Sequence, residues 1–156
     1  RAVRSAEEVA DAVRLAADAG QPLALAGGRH AMGGQQFLTD GWLLDLRGLR
    51  RLRHFDTGRG RVEAEAGILW PELMRGYLLR QHGSAAPWGL RQKQTGADRL
   101  TLGGAVAANI HGRVLRGGPF VEDLESLEVV DARGELRRCS RTENAELFRH
   151  VVGGYG

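Results

Sequence analysis

Residues 25–36, LAGGRHAMGGQQ, decide how the chain is organised. Directly behind a short apolar run, four glycines surround one Arg–His pair: Gly27, Gly28, Gly33 and Gly34, with Arg29 and His30 between them. Glycines at this density let the backbone take positive φ and leave its N–H groups uncovered, which suits close wrapping around an anion. The stretch therefore predicts either a loop for a phosphate-bearing cofactor or an ordinary glycine-rich connection.

The composition is that of a single water-soluble domain. The chain has 156 residues, 42% of them hydrophobic and 26% charged, and a chain of this size buries roughly 70% of its unfolded surface. No apolar run approaches the roughly 18 residues that cross a bilayer. We expect no membrane-spanning segment, and a cytoplasmic protein in preference to a secreted one, although no marker of a compartment is present. The start at Arg1 and the end inside VVGGYG suggest a fragment of a longer protein.

The charge is basic, and it is carried almost entirely by arginine. The net charge is +3, and every lysine or arginine position except Lys93 is arginine. Six arginines between residues 47 and 61 could suggest nucleic acid, but no aromatic residues interleave with them in the manner of such surfaces. We expect a solvated or interdomain face and no nucleic acid. The single cysteine, Cys139, excludes an internal disulfide and is expected to pack inside a strand.

Local patterns predict short helices and strands in alternation. Ser5 begins a capping box with Glu8, and Gly20 ends the helix that follows. The predicted helices are residues 5–19, 71–81, 105–109 and 144–152, and the predicted strands are 23–26, 42–46, 52–55, 61–66, 127–131 and 135–139. Residues 85–99 are predicted to form a long loop. Since two of the strand pairs are hairpins, the pattern favours an α+β fold over a regular βαβ array.

Two common phosphate signatures fail on the opening stretch. A Rossmann fingerprint needs G-x-G-x-x-G, but Arg29 and His30 stand where glycine is required, although Asp45 lies at a tolerable distance for a ribose-binding acid. A P-loop needs Lys and Ser or Thr after its last glycine, and here Gly34 is followed by Gln35. The loop therefore belongs to neither class.

A different family fits the order of motifs along nearly the whole chain. These motifs are S-x-E-E-V, GGRHAMGGQ, D-L-R-x-L-x-x-L, V-x-A-x-A-G, T-L-G-G-A-V-A-A-N-I-H-G, V-V-D-A-R-G-E-L and E-L-F-x-x-V-V-G-G-Y-G. Together they resemble the PCMH-type FAD-binding domain of the vanillyl-alcohol oxidase and para-cresol methylhydroxylase flavoproteins. From residue 101 onward the chain is especially similar to bacterial decaprenylphosphoryl-ribose oxidases and to sugar or alditol oxidases. The resemblance implies small mixed sheets flanked by helices.

The resemblance also implies how FAD is bound. The diphosphate would lie against residues 26–33 of the glycine loop (residues 25–36), and a second loop (residues 96–104) with the helix after it would line the other side of the cofactor. The implied contacts are Ala26, Gly27, Gly28, Arg29, His30, Ala31, Met32, Gly33 and Gln35 in the first group, and Gly96, Ala97, Asp98, Thr101, Leu102, Gly103, Gly104, Ala107, Asn109, His111 and Gly112 in the second.

Two histidines are candidates for chemistry. In several oxidases of the superfamily the histidine of G-x-x-H-x-x-x-G-Q is bonded to the flavin 8α carbon, and His30 has that spacing, whereas decaprenylphosphoryl-ribose oxidases lack it. His30 is therefore a covalent attachment point, a noncovalent contact or a structural residue. His111 is the candidate catalytic residue, able to orient the flavin or stabilise charge as hydride arrives, or else it closes its loop. Asp98 is expected to order the second loop through a turn.

The remaining histidines form no metal-ligand spacing, and we expect no metal site. His54, His82 and His150 are interpreted as surface or packing residues.

The resemblance implies an FAD-dependent oxidoreductase acting on an alcohol or sugar-type hydroxyl. Hydride would pass to flavin N5, and dioxygen or another acceptor would reoxidise the flavin. A polyol or sugar substrate and the catalytic base would be held by a cap domain elsewhere in the parent chain. The alternative is a noncatalytic flavin- or nucleotide-binding module.

Overall fold

A computed structural model describes residues 1–94, 96–113 and 117–155. Four helices and six strands lie in these ranges. The helices are α1 (Ala6–Asp18), α2 (Trp70–Arg80), α3 (Leu102–Ala107) and α4 (Ala145–Val151), and the strands are β1 (Leu23–Ala26), β2 (Trp42–Asp45), β3 (Leu52–Asp56), β4 (Arg61–Ala64), β5 (Ser126–Val130) and β6 (Leu136–Ser140). Thr95 in the predicted long loop and Gly156 at the end of the last motif lie outside the described residues.

The strands form three two-stranded sheets, which confirms the α+β prediction. β1 and β2 are parallel, with Ala26 opposite Asp45, whereas β3–β4 and β5–β6 are antiparallel hairpins. The amino-terminal residues lie along the free edge of β2, where the N–H of Val3 donates to the carbonyl of Asp45 at 3.2 Å. The glycine loop consequently leaves the carboxyl end of a short parallel sheet.

Two apolar clusters hold these elements. The larger one joins α2, α3 and the 3-10 turn Phe120–Asp123, with Trp70 against Phe120 in an edge-to-face contact of 5.4 Å between ring centroids. The smaller one packs Ala12 of α1 on Leu44 of β2 together with Val3 and Leu49. Cys139 is fully buried in β6, as the sequence predicts. The larger cluster anchors the second loop, and the smaller one anchors the glycine loop.

Helix α1 has the predicted N-cap residue and ends before the predicted glycine, but one hydrogen bond of the capping box differs. Ser5 Oγ accepts the N–H of Glu8 at 3.2 Å, and Gly20 takes a φ of 61° after the helix. The Glu8 carboxylate reaches back to the N–H of Arg4 at 2.8 Å instead of the N–H of Ser5. The capping box is therefore shifted by one residue on that side.

Helix α3 begins earlier than the sequence predicts. The prediction of residues 105–109 treats Gly103 and Gly104 as preceding the helix, but Thr101 Oγ1 accepts the N–H of Gly104 at 3.2 Å and makes Thr101 the cap. Both glycines therefore lie inside the first turn. The prediction was wrong because a side-chain cap compensates the low helix propensity of glycine. Strand β4 also ends at Ala64, short of the predicted residue 66.

Candidate functional site

The glycine loop presents a run of unpaired backbone donors. Within the described part of the chain, the N–H groups of residues 27–33 donate to no acceptor. Arg29 takes a φ of 59°, and Gly34 takes a φ of 70° and donates its N–H to Ala31 at 3.3 Å. Successive free N–H groups around a left-handed residue form a concavity that attracts anions. This geometry favours a phosphate cradle over a plain connection.

The second loop lies directly against the glycine loop. A Cβ added to Gly27 would overlap Oγ1 of Thr101, and a Cβ added to Gly28 would overlap the carbonyl oxygen of Arg99. Close backbone approach of this kind is what glycine permits and other residues prevent. The two loops are therefore in direct contact at Gly27 and Gly28.

Thr101 fixes the second loop at its contact with the glycine loop. Its side chain is 1% exposed and caps α3. The N–H of Leu102 donates to the carbonyl of Ile68 at 2.9 Å, and the N–H of Gly103 donates to the carbonyl of Ala66 at 2.7 Å. Gly103 is also too close to Ala66 to carry a Cβ. The residues that follow β4 thus hold the start of α3 in place.

The carboxyl end of α3 is also tied down. Asn109 takes a φ of 42°, and its Oδ1 accepts the N–H of Val121 at 3.4 Å. The N–H of Tyr155 donates to the carbonyl of Ala107 at 3.1 Å. The segment from Asn109 to Gly112, which the resemblance places near the flavin, therefore leaves a fixed turn.

His30 and His111 are both exposed. The His30 ring lies beside Gly28, whose added Cβ would come within 3.1 Å of Cδ2, and it makes no hydrogen bond to the described residues. The Nδ1 of His111 lies 3.2 Å from the carbonyl oxygen of Gly112; in the tautomer that carries its proton on Nδ1, this N–H donates a hydrogen bond to that oxygen and leaves Nε2 available. Both imidazoles are therefore free to meet a ligand.

Asp98 lies in a turn of the second loop. Its carboxylate pairs with Lys93, which also donates to the carbonyl of Gln94 at 3.2 Å, and it accepts no backbone N–H from the described residues. That Asp98 orders the loop stays a prediction. Asp98 also borders an open groove of about 560 Å³ on the outer face of α2, beside Met74 and Leu78. Its side chain is therefore directed toward α2.

Asp45 was missed as a site residue, except as a ribose ligand in the rejected Rossmann reading. It accepts the backbone N–H of Arg47 at 3.0 Å and its Nε at 2.9 Å, and Nη2 of Arg29 lies 3.6 Å from Oδ2. These hydrogen bonds, above all those from the Arg47 side chain, lower the pKa of Asp45 to about 2. Asp45 lies beside the glycine loop because β1 and β2 are parallel and end at the same edge of the sheet.

The arginine cluster is largely neutralised by acids. Arg51 Nη2 lies 2.7 Å from Glu65 Oε1, Arg53 Nη2 lies 3.4 Å from the same oxygen, and Arg61 Nε lies 2.7 Å from Glu125. Arg47 pairs with Asp45. The cluster is therefore a network of ion pairs and not a bare basic stripe.

Within residues 1–94, 96–113 and 117–155, no group of three or more His, Cys, Asp or Glu side chains could hold a metal ion. No helix of these ranges is long and apolar enough to cross a membrane.

Comparison with known proteins identifies the family. Residues 1–140 match the family described as FAD binding domain. The chain belongs to this family. The prediction of a PCMH-type domain of the vanillyl-alcohol oxidase and para-cresol methylhydroxylase superfamily is confirmed, and so is its cofactor, FAD.

Three relatives show how far the likeness extends. Cytokinin dehydrogenase 7 of Oryza sativa subsp. japonica is 31% identical over 96% of this chain and 28% of its own length. Cytokinin dehydrogenase 1 of Arabidopsis thaliana is 30% identical over 92% of this chain and 24% of its own length. The crystal structure of 6-hydroxy-D-nicotine oxidase from Arthrobacter nicotinovorans aligns with a TM-score of 0.79 and 26% identity over 96% of this chain and 31% of that one. This chain thus spans less than a third of each relative.

The residues of this FAD-binding domain fit the cofactor that the family requires. A diphosphate needs several hydrogen-bond donors and positive charge, and the glycine loop supplies free N–H groups with Arg29 at its centre. A Cβ at Gly27 or Gly28 would fill the junction with the second loop, so the small residues there are required.

Proposed function

We propose that this chain is the FAD-binding part of a flavin-dependent oxidase or dehydrogenase that oxidises a small organic molecule. The observation that carries the proposal is the run of free N–H groups in residues 27–33, held against the second loop at Gly28 and Arg99. Membership of the FAD binding domain family supports the same conclusion. The names of the relatives, all oxidases or dehydrogenases, support redox catalysis in the parent protein.

The redox chemistry belongs to FAD, which when bound accepts a hydride from a substrate carbon and passes the electrons to dioxygen or another acceptor. The N–H groups of residues 27–33 would bind the diphosphate. Residues 96–104 and α3 would line the other side of the cofactor, and residues 109–112 would approach the ribityl chain or the flavin ring. His111, with Nε2 available, orients the ring or stabilises negative charge at it.

The donor is a carbon that bears a hydroxyl or an amine nitrogen. The sequence resemblance favours a polyol or a sugar hydroxyl. The relatives are named for cytokinin and for 6-hydroxy-D-nicotine, neither of which is a sugar or a polyol. In both classes the substrate loses hydride from carbon, so both are included in the test. We place substrate recognition and the catalytic base on a cap domain of the parent chain.

His30 is the proposed attachment point of the flavin. A neutral imidazole is a nucleophile. Formation of the bond would remove one proton from the 8α methyl group and one from the imidazole N–H, and would leave two electrons on the flavin for dioxygen or another acceptor to take up. The bond would withdraw electron density and raise the flavin potential. The exposed ring of His30, without a hydrogen-bond partner among the described residues, is available for this role.

The test uses the full-length parent protein. It should purify yellow, and a panel of polyols, sugars and amines, followed by anaerobic bleaching of the flavin absorbance, should identify a donor that reduces it. Arrest of bleaching in a His111→Ala variant that retains full flavin would support the role of His111. Bound flavin that no donor in either class reduces would favour the noncatalytic module, and a colourless protein that takes up no FAD would refute the proposal.

A further inference from the structure

The backbone of the glycine loop is strained at one residue. Arg29 takes a φ of 59°, in the left-handed region that glycine adopts freely and other residues rarely adopt. The conformation at Arg29 sets the relative direction of the two peptide N–H groups that flank its Cα, those of Arg29 and His30. Some interaction must hold the turn in place.

The guanidinium group of Arg29 lies near a carboxylate of the β1–β2 sheet, from which the loop departs. Nη2 of Arg29 lies 3.6 Å from Oδ2 of Asp45, whose side chain is only 16% exposed. The pairing of Ala26 with Asp45 in the β1–β2 ladder puts this carboxylate at the edge from which the loop departs. The acid is itself fixed, because Arg47 donates its backbone N–H and its Nε to it.

The net charge of the side chains around Asp45 is suited to binding an anion. A lone carboxylate beside a diphosphate would repel it, but Asp45 is shared by the two cations Arg29 and Arg47. The group of three carries one net positive charge. Asp45 can therefore hold Arg29 without making the cradle negative.

We propose that Asp45 is a positioning residue for FAD: it holds the side chain of Arg29 and thereby the left-handed turn that presents the free N–H groups of the glycine loop to the diphosphate. This inference rests on the proposed function, since it concerns the same cofactor. Asp45 itself does not touch FAD.

The experiment measures the reversible binding of FAD to the full-length apoprotein prepared from a flavin-starved host. Stopped-flow quenching of FAD fluorescence gives the association and dissociation rates, and hence Kd, before any bond to His30 forms. Asp45→Asn and Arg29→Ala should each raise Kd about fivefold, equivalent to about 1 kcal/mol. Arg29→Gly should bind FAD more tightly than Arg29→Ala, because glycine adopts this φ without a side-chain anchor.

The decisive variant combines the two substitutions. Arg29→Gly with Asp45→Asn should bind FAD as Arg29→Gly alone does, since the anchor is no longer needed. A merely structural role of Asp45 would not be rescued in this way. The matched control is Asp131→Asn: Asp131 also follows a strand, accepts the N–H of Arg133 at 2.9 Å and pairs with Arg137 at 2.7 Å, but it lies in the β5–β6 hairpin. Its Kd should equal the native value.

The outcomes separate the inference from the proposed function. Native apoprotein that binds no FAD overturns both. Native binding with an unchanged Kd for Asp45→Asn, or an equal loss in Asp131→Asn, overturns the positioning role alone. An Arg29→Gly variant that binds as weakly as Arg29→Ala also overturns it, and would show that the guanidinium group contacts the diphosphate directly.

Discussion

Gly28 in the glycine loop lies so close to the carbonyl oxygen of Arg99 that a Cβ on Gly28 would overlap this oxygen. The two residues are distant in sequence, and they bring the glycine loop and the second loop together. Since a backbone carbonyl cannot turn aside as a flexible side chain can, the contact admits only glycine. The junction of the loops is therefore rigid at this point.

Gly28→Ala should separate the two loops and weaken FAD binding. Overpacking of this kind costs about 1–3 kcal/mol, and a comparable loss in binding corresponds to a rise in the Kd for FAD of roughly fivefold to 150-fold. The measurements are the Kd of the full-length apoprotein and its melting temperature. Gly89→Ala is the control, because a Cβ there meets nothing within 4 Å. If Gly28→Ala bound FAD like the native protein, contact between the loops would not be needed.

His30→Ala should release the flavin from covalent attachment. When the native full-length protein is precipitated with acid, we expect yellow colour in the pellet, whereas the variant should leave its flavin in the supernatant. His54→Ala provides the control, since His54 is an exposed residue of β3. Complete release of flavin from the native protein would contradict the bond and favour the noncovalent subgroup.

Asp45 should make stability depend on acid pH. Its pKa falls from 3.8 to about 2 in the folded protein, chiefly through hydrogen bonds from Arg47. A carboxyl with a lowered folded pKa stabilises the fold above its unfolded pKa and loses that contribution as pH falls through the folded value. The melting temperature of Asp45→Asn should therefore lie below the native one at pH 5 to 7, and the difference should shrink between about pH 4 and pH 2. A difference independent of pH would exclude the ionised carboxylate as its source.

The sequence predicted local structure well and long-range contacts poorly. The helix after Ser5 and the strand before Gly27 follow from capping and apolar runs, which act within a few residues. The start of α3 was wrong because the cap from Thr101 outweighs two glycines. The contact between Arg29 and Asp45 depends on the parallel register of β1 and β2, and no pattern along the chain specifies that register.

In the glycine loop, too, the local features were predicted and the long-range contacts were not. Its glycines indicated an anion site, and the order of motifs indicated FAD, which the family match confirms. The acid that holds Arg29 and the carbonyl of Arg99 were not predicted as partners of the loop. The contacts of a main-chain carbonyl cannot be inferred from the residue type, and an Asp at the end of a strand has several common uses. The contacts of the Arg99 carbonyl and of Asp45 with the loop therefore could not be assigned before the fold was known.

Glu65 and Glu63 offer a matched test of what burial does to an ion pair on one hairpin. Arg53 approaches both acids, at 3.4 Å from Glu65 and 3.9 Å from Glu63, but the Glu65 side chain is 3% exposed and the Glu63 side chain is 62% exposed. Glu65 also accepts the backbone N–H of Arg51 at 2.8 Å. Glu65→Ala leaves this partly buried donor without its acceptor.

Glu65→Ala should therefore lower the free energy of unfolding by about 2–3 kcal/mol, and Glu63→Ala by no more than about 0.5 kcal/mol. Urea denaturation of the full-length protein, monitored at the transition that includes this domain, gives both values. Added salt should reduce the small effect at Glu63 and leave most of the effect at Glu65, because buried pairs are screened less. If the two variants lost the same free energy of unfolding, the hydrogen bond from the N–H of Arg51 to Glu65 would add nothing to the stability that an exposed ion pair provides.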